Sequence, residues 1–132
     1  MTNDSIGSAM ASASQGMNAQ AFRLRVVSEN LSNADTHGYR RKLISFQNEY
    51  DAKTASDRLV VGNVTLDQSA GERLFDPAHP LSDEQGYVIM SNVDMMIELS
   101  DAREASRSYE ANLTTFQQAR KMYSGLLDLI RR

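Results

Sequence analysis

Two stretches of this chain, one near each end, repeat their apolar residues at alternating intervals of four and three, and the span between them does not. The first stretch runs Ile6, Met10, Ala13, Met17, Gln20, Leu24, Val27, Leu31, Ala34. The second runs Met95, Leu99, Ala102, Ser106, Tyr109, Leu113, Phe116, Arg120, Tyr123, Leu127, Ile130. A repeat averaging 3.5 residues keeps one narrow stripe of an α-helix turned towards a partner, which is the pattern of a coiled-coil seam. Only Gln20, Ser106 and Arg120 interrupt it. The pattern predicts a mainly α fold with a small β part. Two long terminal helices form an antiparallel coiled-coil pair, and a short β-hairpin and loops fill the middle. Residues 1–38 and 93–132 together are expected to make the helical part, and residues 39–92 a small β-containing outer segment. The seam residues expected to pack within and between subunits are Met10, Met17, Leu24, Val27, Leu31, Met95, Leu99, Tyr109, Leu113, Phe116, Tyr123, Leu127 and Ile130.

Residues 4–35 read as one helix, with Asn3 or Ser5 as its cap. Its first half is rich in Gly, Ala and Ser, and Gly7 and Gly16 each weaken an isolated helix by about 1 kcal/mol relative to Ala. Residues 4–18 are therefore expected to order only against neighbours, and small side chains there permit close helix approach. The helix is expected to stop at Ala34 to Tyr39, with Gly38 taking the left-handed conformation that ends helices. Residues 40–57 are polar, with Ile44, Phe46 and Tyr50 spaced to bury a few side chains. Arg58 to Asp67 alternates, is β-branched and reads as a strand. A turn at 67–71 and a return strand over 72–76 would make it a hairpin. The prolines of Asp76-Pro77-Ala78-His79-Pro80 forbid helix and favour a stiff loop, and Gly86 to Ile89 is a further short extended piece. Ser91 or Asn92 is expected to cap the second helix, over about 93–131.

The net charge of −3 arises in the middle, where residues 35–92 carry nine acidic and six basic side chains while each terminal stretch balances. The one basic cluster is Arg40-Arg41-Lys42, too small a footprint for nucleic acid, which needs clustered Lys and Arg to neutralise phosphates. No apolar run approaches the ~20 residues that span a bilayer, and no charged-then-apolar leader opens the sequence, so export without a cleaved signal peptide is expected. With no cysteine, thiolate chemistry and disulfides are excluded. The only histidines, His37 and His79, sit in loops without metal-ligand spacing. No nucleophile elbow, phosphate-binding loop or dinucleotide fingerprint occurs. The reading is of a non-enzyme with no catalytic, cofactor-binding or metal site. A two-helix hairpin is thin against the entropy of ordering about 70 helical residues, so the ends are expected to fold fully only in a multi-subunit bundle.

Three stretches carry a resemblance to a known family. Residues 23–36, running into Gly38-Tyr39-Arg40-Arg41-Lys42, resemble the signature with which flagellar rod and hook subunits end their first helix, with His37 where proline is usual. Asp76-Pro77-Ala78-His79-Pro80 through Asp83, Gly86-Tyr87-Val88 and Asn92-Val93 is similar to the stretch that sets C-type rod subunits apart, with Ser91 where proline is usual. Glu98 and Asp101, followed by Ala105 to Asn112, resemble the C-terminal helix signature. The chain thus resembles the bacterial flagellar basal-body rod proteins of the C-type proximal rod family.

That resemblance implies terminal helices lining the inside of a tube, with the middle segment outside it. It implies a self-assembling structural subunit of the proximal rod, the drive shaft that encloses the export channel and transmits torque. The implied partners are copies of itself, other rod subunits, membrane-ring and rod adaptor proteins, and the flagellar type III export apparatus in transit. The implied location is the basal body, as part of the periplasmic rod. Helix-stop and connector roles fall on Asn33, Gly38, Tyr39, Asp76, Pro77, Pro80, Gly86 and Tyr87. Alternatives are a B-type rod subunit, against which the Asp-Pro-Ala-His-Pro loop argues, and a cytoplasmic coiled-coil adaptor or chaperone.

Overall fold

A computed structural model describes residues 5–132. Helix α1 spans Ser5–Ser32 and helix α2 spans Met95–Ile130. Between them lie six short strands: β1 Lys42–Leu43, β2 Phe46–Asp51, β3 Ser56–Val61, β4 Thr65–Leu66, β5 Arg73–Phe75 and β6 Tyr87–Ile89. The fold is mainly helical with a small antiparallel β part. The helices, about 42 and 54 Å long at 1.5 Å per residue, run antiparallel. Gly16 lies beside Asn112, Arg23 reaches Asp101 and Asn30 bonds Glu98, so rising numbers on α1 meet falling numbers on α2.

Several boundaries differ from the sequence expectation. The expected start of α1 at residue 4 and its Asn3 cap lie outside the described residues, while residues 5–18 are helical throughout. Helix α1 ends at Ser32, six residues before Gly38. Ser32 Oγ and Asn33 Nδ2 fold back to donate to the carbonyls of Ser28 and Glu29, at 2.8 Å each, and so occupy acceptors at the helix end. Gly38 does adopt the left-handed region, with φ +72°, but it serves the turn beyond the helix. At the other helix the cap is Asp94 rather than Ser91 or Asn92. Its carboxylate accepts from the amides of Met96 and Ile97, because Asn92 is engaged elsewhere and Ser91 Oγ accepts from Val93 N.

The middle is three separate two-stranded sheets, in the orders β1-β4, β2-β3 and β5-β6. The expected strand over 58–67 is broken by Gly62, Asn63 and Val64 into β3 and β4. Its expected hairpin partner, residues 72–76, instead pairs with β6 in the register Leu74↔Val88. The turn at 67–71 therefore closes no hairpin. The reason is that Asp67 N donates to Arg41 O, prolonging the β1–β4 ladder, while Asn92 Nδ2 donates to the carbonyls of Asp67 and Ser69. The hairpin that does form is β2–β3, joined at residues 52–55, with Ala55 at φ 49°. It lies along α1, where Gln15 Oε1 accepts the Leu59 amide at 3.1 Å.

Candidate assembly surface and polar junction

The helix pair is held by small and polar residues. Helix α1 buries Ala13, Gly16, Ala19, Val26, Val27 and Asn30, and α2 buries Glu98, Ala105 and Ala119. Among the described residues, no Leu, Ile, Met, Phe or Tyr is buried. On α2 the side chains withdrawn from solvent follow Glu98, Ala102, Ala105, Tyr109, Asn112, Phe116 and Ala119, with Asp101 and Ser108 beside them. This is a heptad spacing. It shares Ala102, Tyr109 and Phe116 with the sequence stripe but replaces Leu99, Ser106, Leu113 and Arg120 by the residue before each. On α1 the same shift puts Gly16, Arg23 and Asn30 towards α2 rather than Met17, Leu24 and Leu31. Small residues let the backbones approach, and the polar ones find partners.

The named seam residues are consequently spread around the pair. Val27 is buried; Met10, Met17, Leu24, Leu31, Tyr109 and Phe116 are half-buried; Met95, Leu99, Leu113, Tyr123, Leu127 and Ile130 are exposed. From Arg120 to Arg132 every residue of the chain is exposed, including Met122, Leu126 and Leu129. Ile130 is 80% exposed. Large apolar side chains thus stand open to water along the C-terminal part of α2.

Where the helices meet the middle segment, a polar junction is buried. Asn30, 1% exposed, uses its whole amide. Its Nδ2 donates to Lys42 O (3.0 Å) and Glu98 Oε2 (3.2 Å), and its Oδ1 accepts from Lys42 N and the Tyr39 hydroxyl, both at 2.9 Å. Glu98, fully buried, pairs through Oε1 with Arg41 Nε. Arg41 Nη2 also donates to Asp101 Oδ2 (3.1 Å), and Arg23 takes the other Asp101 oxygen at 3.1 Å. Arg41 N donates to Asn92 Oδ1, so the same residue is tied to the β1–β4 connection. Burial raises the Tyr39 phenol above its ordinary pKa, with the Glu29 carboxylate adding to this, Lys42 opposing it and Glu98 adding again. Glu29 pairs with Lys42 and holds its ammonium above the usual lysine range.

The structure brings residues 37–39 against residues 79, 89 and 92. Gly38 N donates to Ile89 O at 2.9 Å, Asn92 N to Tyr39 O at 3.3 Å, and the His37 and His79 rings stack with centroids 4.3 Å apart. The 76–80 loop is closed by Asp76 N donating to Gly86 O. Gly86, at φ +81°, sits against Phe75 and Pro77, while Phe75 and Tyr87 meet edge to face. Pro80 is exposed, and Asn33 bonds back into α1 and to the amide and hydroxyl of Thr36. Sequence reasoning did not single out Asn30, Arg41 or Asn92 as structural hubs. The signal was present in polar residues placed on or beside a helix face that must be buried.

Among the described residues, no group of three His, Cys, Asp or Glu side chains is arranged to hold a metal ion. No described helix is long and apolar enough to cross a membrane.

Residues 10–40 match the family described as flagella basal body rod protein, and residues 84–129 match the C-terminal region of the flagellar basal body rod FlgEFG proteins. The chain is 38% identical to the flagellar basal-body rod protein FlgC of Agrobacterium fabrum, with 97% of each chain covered. It is 35% identical to the FlgC of Salmonella typhimurium, covering 89% of this chain and 92% of that one. With the FlgC of Bacillus subtilis it shares 31% identity over 89% of this chain and 93% of that one. The first match covers α1 from Met10 onward with Asn30 and Tyr39 of the junction; the second covers α2 up to Leu129, with Glu98 and Asp101, and Arg41 and Lys42 lie between the two. Matched along nearly its whole length by FlgC proteins at 31–38% identity, the chain belongs to the FlgC family of flagellar basal-body rod proteins.

Proposed function

We propose that this chain is a structural subunit of the flagellar proximal rod, built to transmit torque rather than to catalyse a reaction, and that it assembles through the open flanks of its two helices. The observation that carries this reading is the inverted distribution of side chains. The helix pair closes on Ala, Gly, Asn and ion pairs, while Leu99, Leu113, Tyr123, Leu127 and Ile130 stay in water. Burying each such side chain against a neighbour is worth about 1.5–3 kcal/mol, a gain available only on assembly. The coiled-coil contacts of the stripe then form between subunits, where Met10, Met17, Leu24 and Leu31 flank the same groove from α1. The helices make the inner tube around the export channel and residues 39–92 the outer part, with Gly38, Tyr39 and the 76–80 loop setting the angle between them.

The partners on this reading are copies of the chain, neighbouring rod subunits and ring or rod adaptor proteins, with the type III export apparatus engaged in transit. The location is the periplasmic rod of the basal body. The test is purification of basal bodies from cells whose only copy of the gene encodes Leu113→Asp or Leu24→Asp. Each places a charge where a neighbour must cover it. Expression with loss of the rod and of swimming supports the reading. Normal swimming, or recovery of the wild-type chain in a soluble cytoplasmic complex instead of basal bodies, refutes it in favour of an adaptor or chaperone.

A further inference from the structure

Small residues recur at heptad spacing along the face that closes the helix pair. Gly16 is covered by Asn112, and the positions one heptad either side of Asn112 are Ala105 and Ala119, both buried and both small. Moving α2 along α1 by seven residues, about 10.5 Å at 1.5 Å per residue, would set Ala119, a small residue, against Gly16. Among the described residues of the two helices, no Leu, Ile, Met, Phe or Tyr is buried. The same shift would be ruinous at the other end. Ala105 would replace Glu98 opposite Asn30 and Arg41, and Ser108 would replace Asp101 opposite Arg23. The half-buried Arg41 guanidinium would then lose Glu98 and Asp101 as acceptors, and the buried Asn30 amide would lose Glu98 and keep only Lys42 O.

We propose that the Asn30–Glu98–Arg41 junction is the register pin of the helix pair: positioning residues that select the one axial alignment in which Gly16 meets Asn112. A single buried polar contact fixing register at a cost in stability is a known device of paired helices. Here it has a second consequence. Arg41 and Lys42 belong to the start of the middle segment, so the alignment of the helices and the seating of β1 are decided by the same bonds.

The absence of native cysteine allows a direct test in the full-length chain. One version carries Gly16→Cys with Asn112→Cys and reports the observed register; another carries Gly16→Cys with Ala119→Cys, and Asn112→Ala to make room for the new Cβ, and reports the slipped one. Both are oxidised at high dilution and scored for the intramolecular disulfide, in the otherwise intact chain and with Glu98→Gln or Asn30→Leu added. The intact chain should bond 16 to 112 and hardly 16 to 119. Either added substitution should raise the 16–119 bond by about tenfold, with the helical circular dichroism retained. If 16–112 stays the sole bond in both variants, another contact fixes the register and the proposal fails. It fails equally if both pairs bond alike in the intact chain. Should Asn30→Leu lose its helical signal, the near-isosteric Glu98→Gln decides; loss of helix in both shows a general stabilising role and overturns register selection.

Discussion

A Cβ built on Gly16 would lie 2.6 Å from the Asn112 amide nitrogen, so α1 and α2 touch here closely enough to exclude even a methyl group unless Asn112 moves. Asn112 is not free to swing away without loss, because its Nδ2 donates to Ser108 O at 2.9 Å within α2. Gly16→Leu should lower stability by about 1–3 kcal/mol through overpacking. Gly16→Ala combined with Asn112→Ala removes the obstacle and gains helix propensity, for a net rise of up to about 1 kcal/mol. Urea titrations of the single and double variants, closed as a cycle, measure the coupling; additive effects would show that the two residues do not constrain each other.

This contact also explains what could be read from the residues alone. The 3.5-residue period is written in Met17, Leu24 and Leu31 and in Leu99, Leu113 and Leu127, so two long paired helices were legible. The phase of contact within one chain was not. The positions that meet are Gly16, Arg23, Asn30, Glu98, Ala105, Asn112 and Ala119, which hydropathy assigns to solvent or passes over. Strand β2, Phe-Gln-Asn-Glu-Tyr-Asp, was hidden for a related reason: five of its six side chains are exposed, and with so little burial its pattern is weak. The pairing of β1 with β4 is set by the Asn92 amide from outside both strands, a tertiary bond that no local pattern signals.

Asp94, and neither Ser91 nor Asn92, holds the start of α2. Asp94→Ala should therefore cost about 0.5–2 kcal/mol, measured as a shift in the urea midpoint, while Ser91→Ala perturbs only the Val93 amide it bonds. Equal losses from the two would contradict the assignment of the cap.

Asn30 and Tyr39 share one bond of unequal importance. Tyr39→Phe removes a single donor, and Asn30 Oδ1 keeps Lys42 N, so the expected loss is about 0.5–1.5 kcal/mol. Asn30→Ala strands Lys42 N, Lys42 O and one Glu98 oxygen together, and should cost several times more. The ratio of the two losses in chemical denaturation is the measurement. A Tyr39→Phe variant as unstable as Asn30→Ala would mean that the phenol, not the amide, is the hub.

The turn after β5 carries an acid-sensitive contact. Asp83 accepts the amides of Tyr87 and Gln85 and pairs with Arg73, which hold its carboxyl below the ordinary value of 3.8. A carboxylate with a depressed folded-state pKa contributes stability above its unfolded value and loses it as the pH falls through the folded one. Amide exchange at Gln85 and Tyr87 should thus be flat from pH 7 to about 4 after correction for intrinsic rates, then quicken at lower pH. Asp83→Asn should remove that step while leaving the Asp94-bonded amides of α2 unchanged. An Asp83→Asn chain that keeps the acid step would place its origin elsewhere.

The outward leucines and isoleucine separate folding from assembly in one experiment. Ile130 is 80% exposed and Leu99 44%, so neither contributes much to the isolated chain. Ile130→Ser and Leu99→Ser should leave the urea midpoint within about 0.5 kcal/mol of the parent. If these side chains are covered by neighbouring subunits, each loses about 1.5–3 kcal/mol of burial per contact. The loss recurs at every copy, because identical subunits present the same surface. Incorporation into rods should fall steeply in cells that express these variants at the parental level. A variant destabilised as a monomer but incorporated normally would reverse the roles, putting the open stripe of α2 in the service of the chain's own fold and leaving assembly to the middle segment.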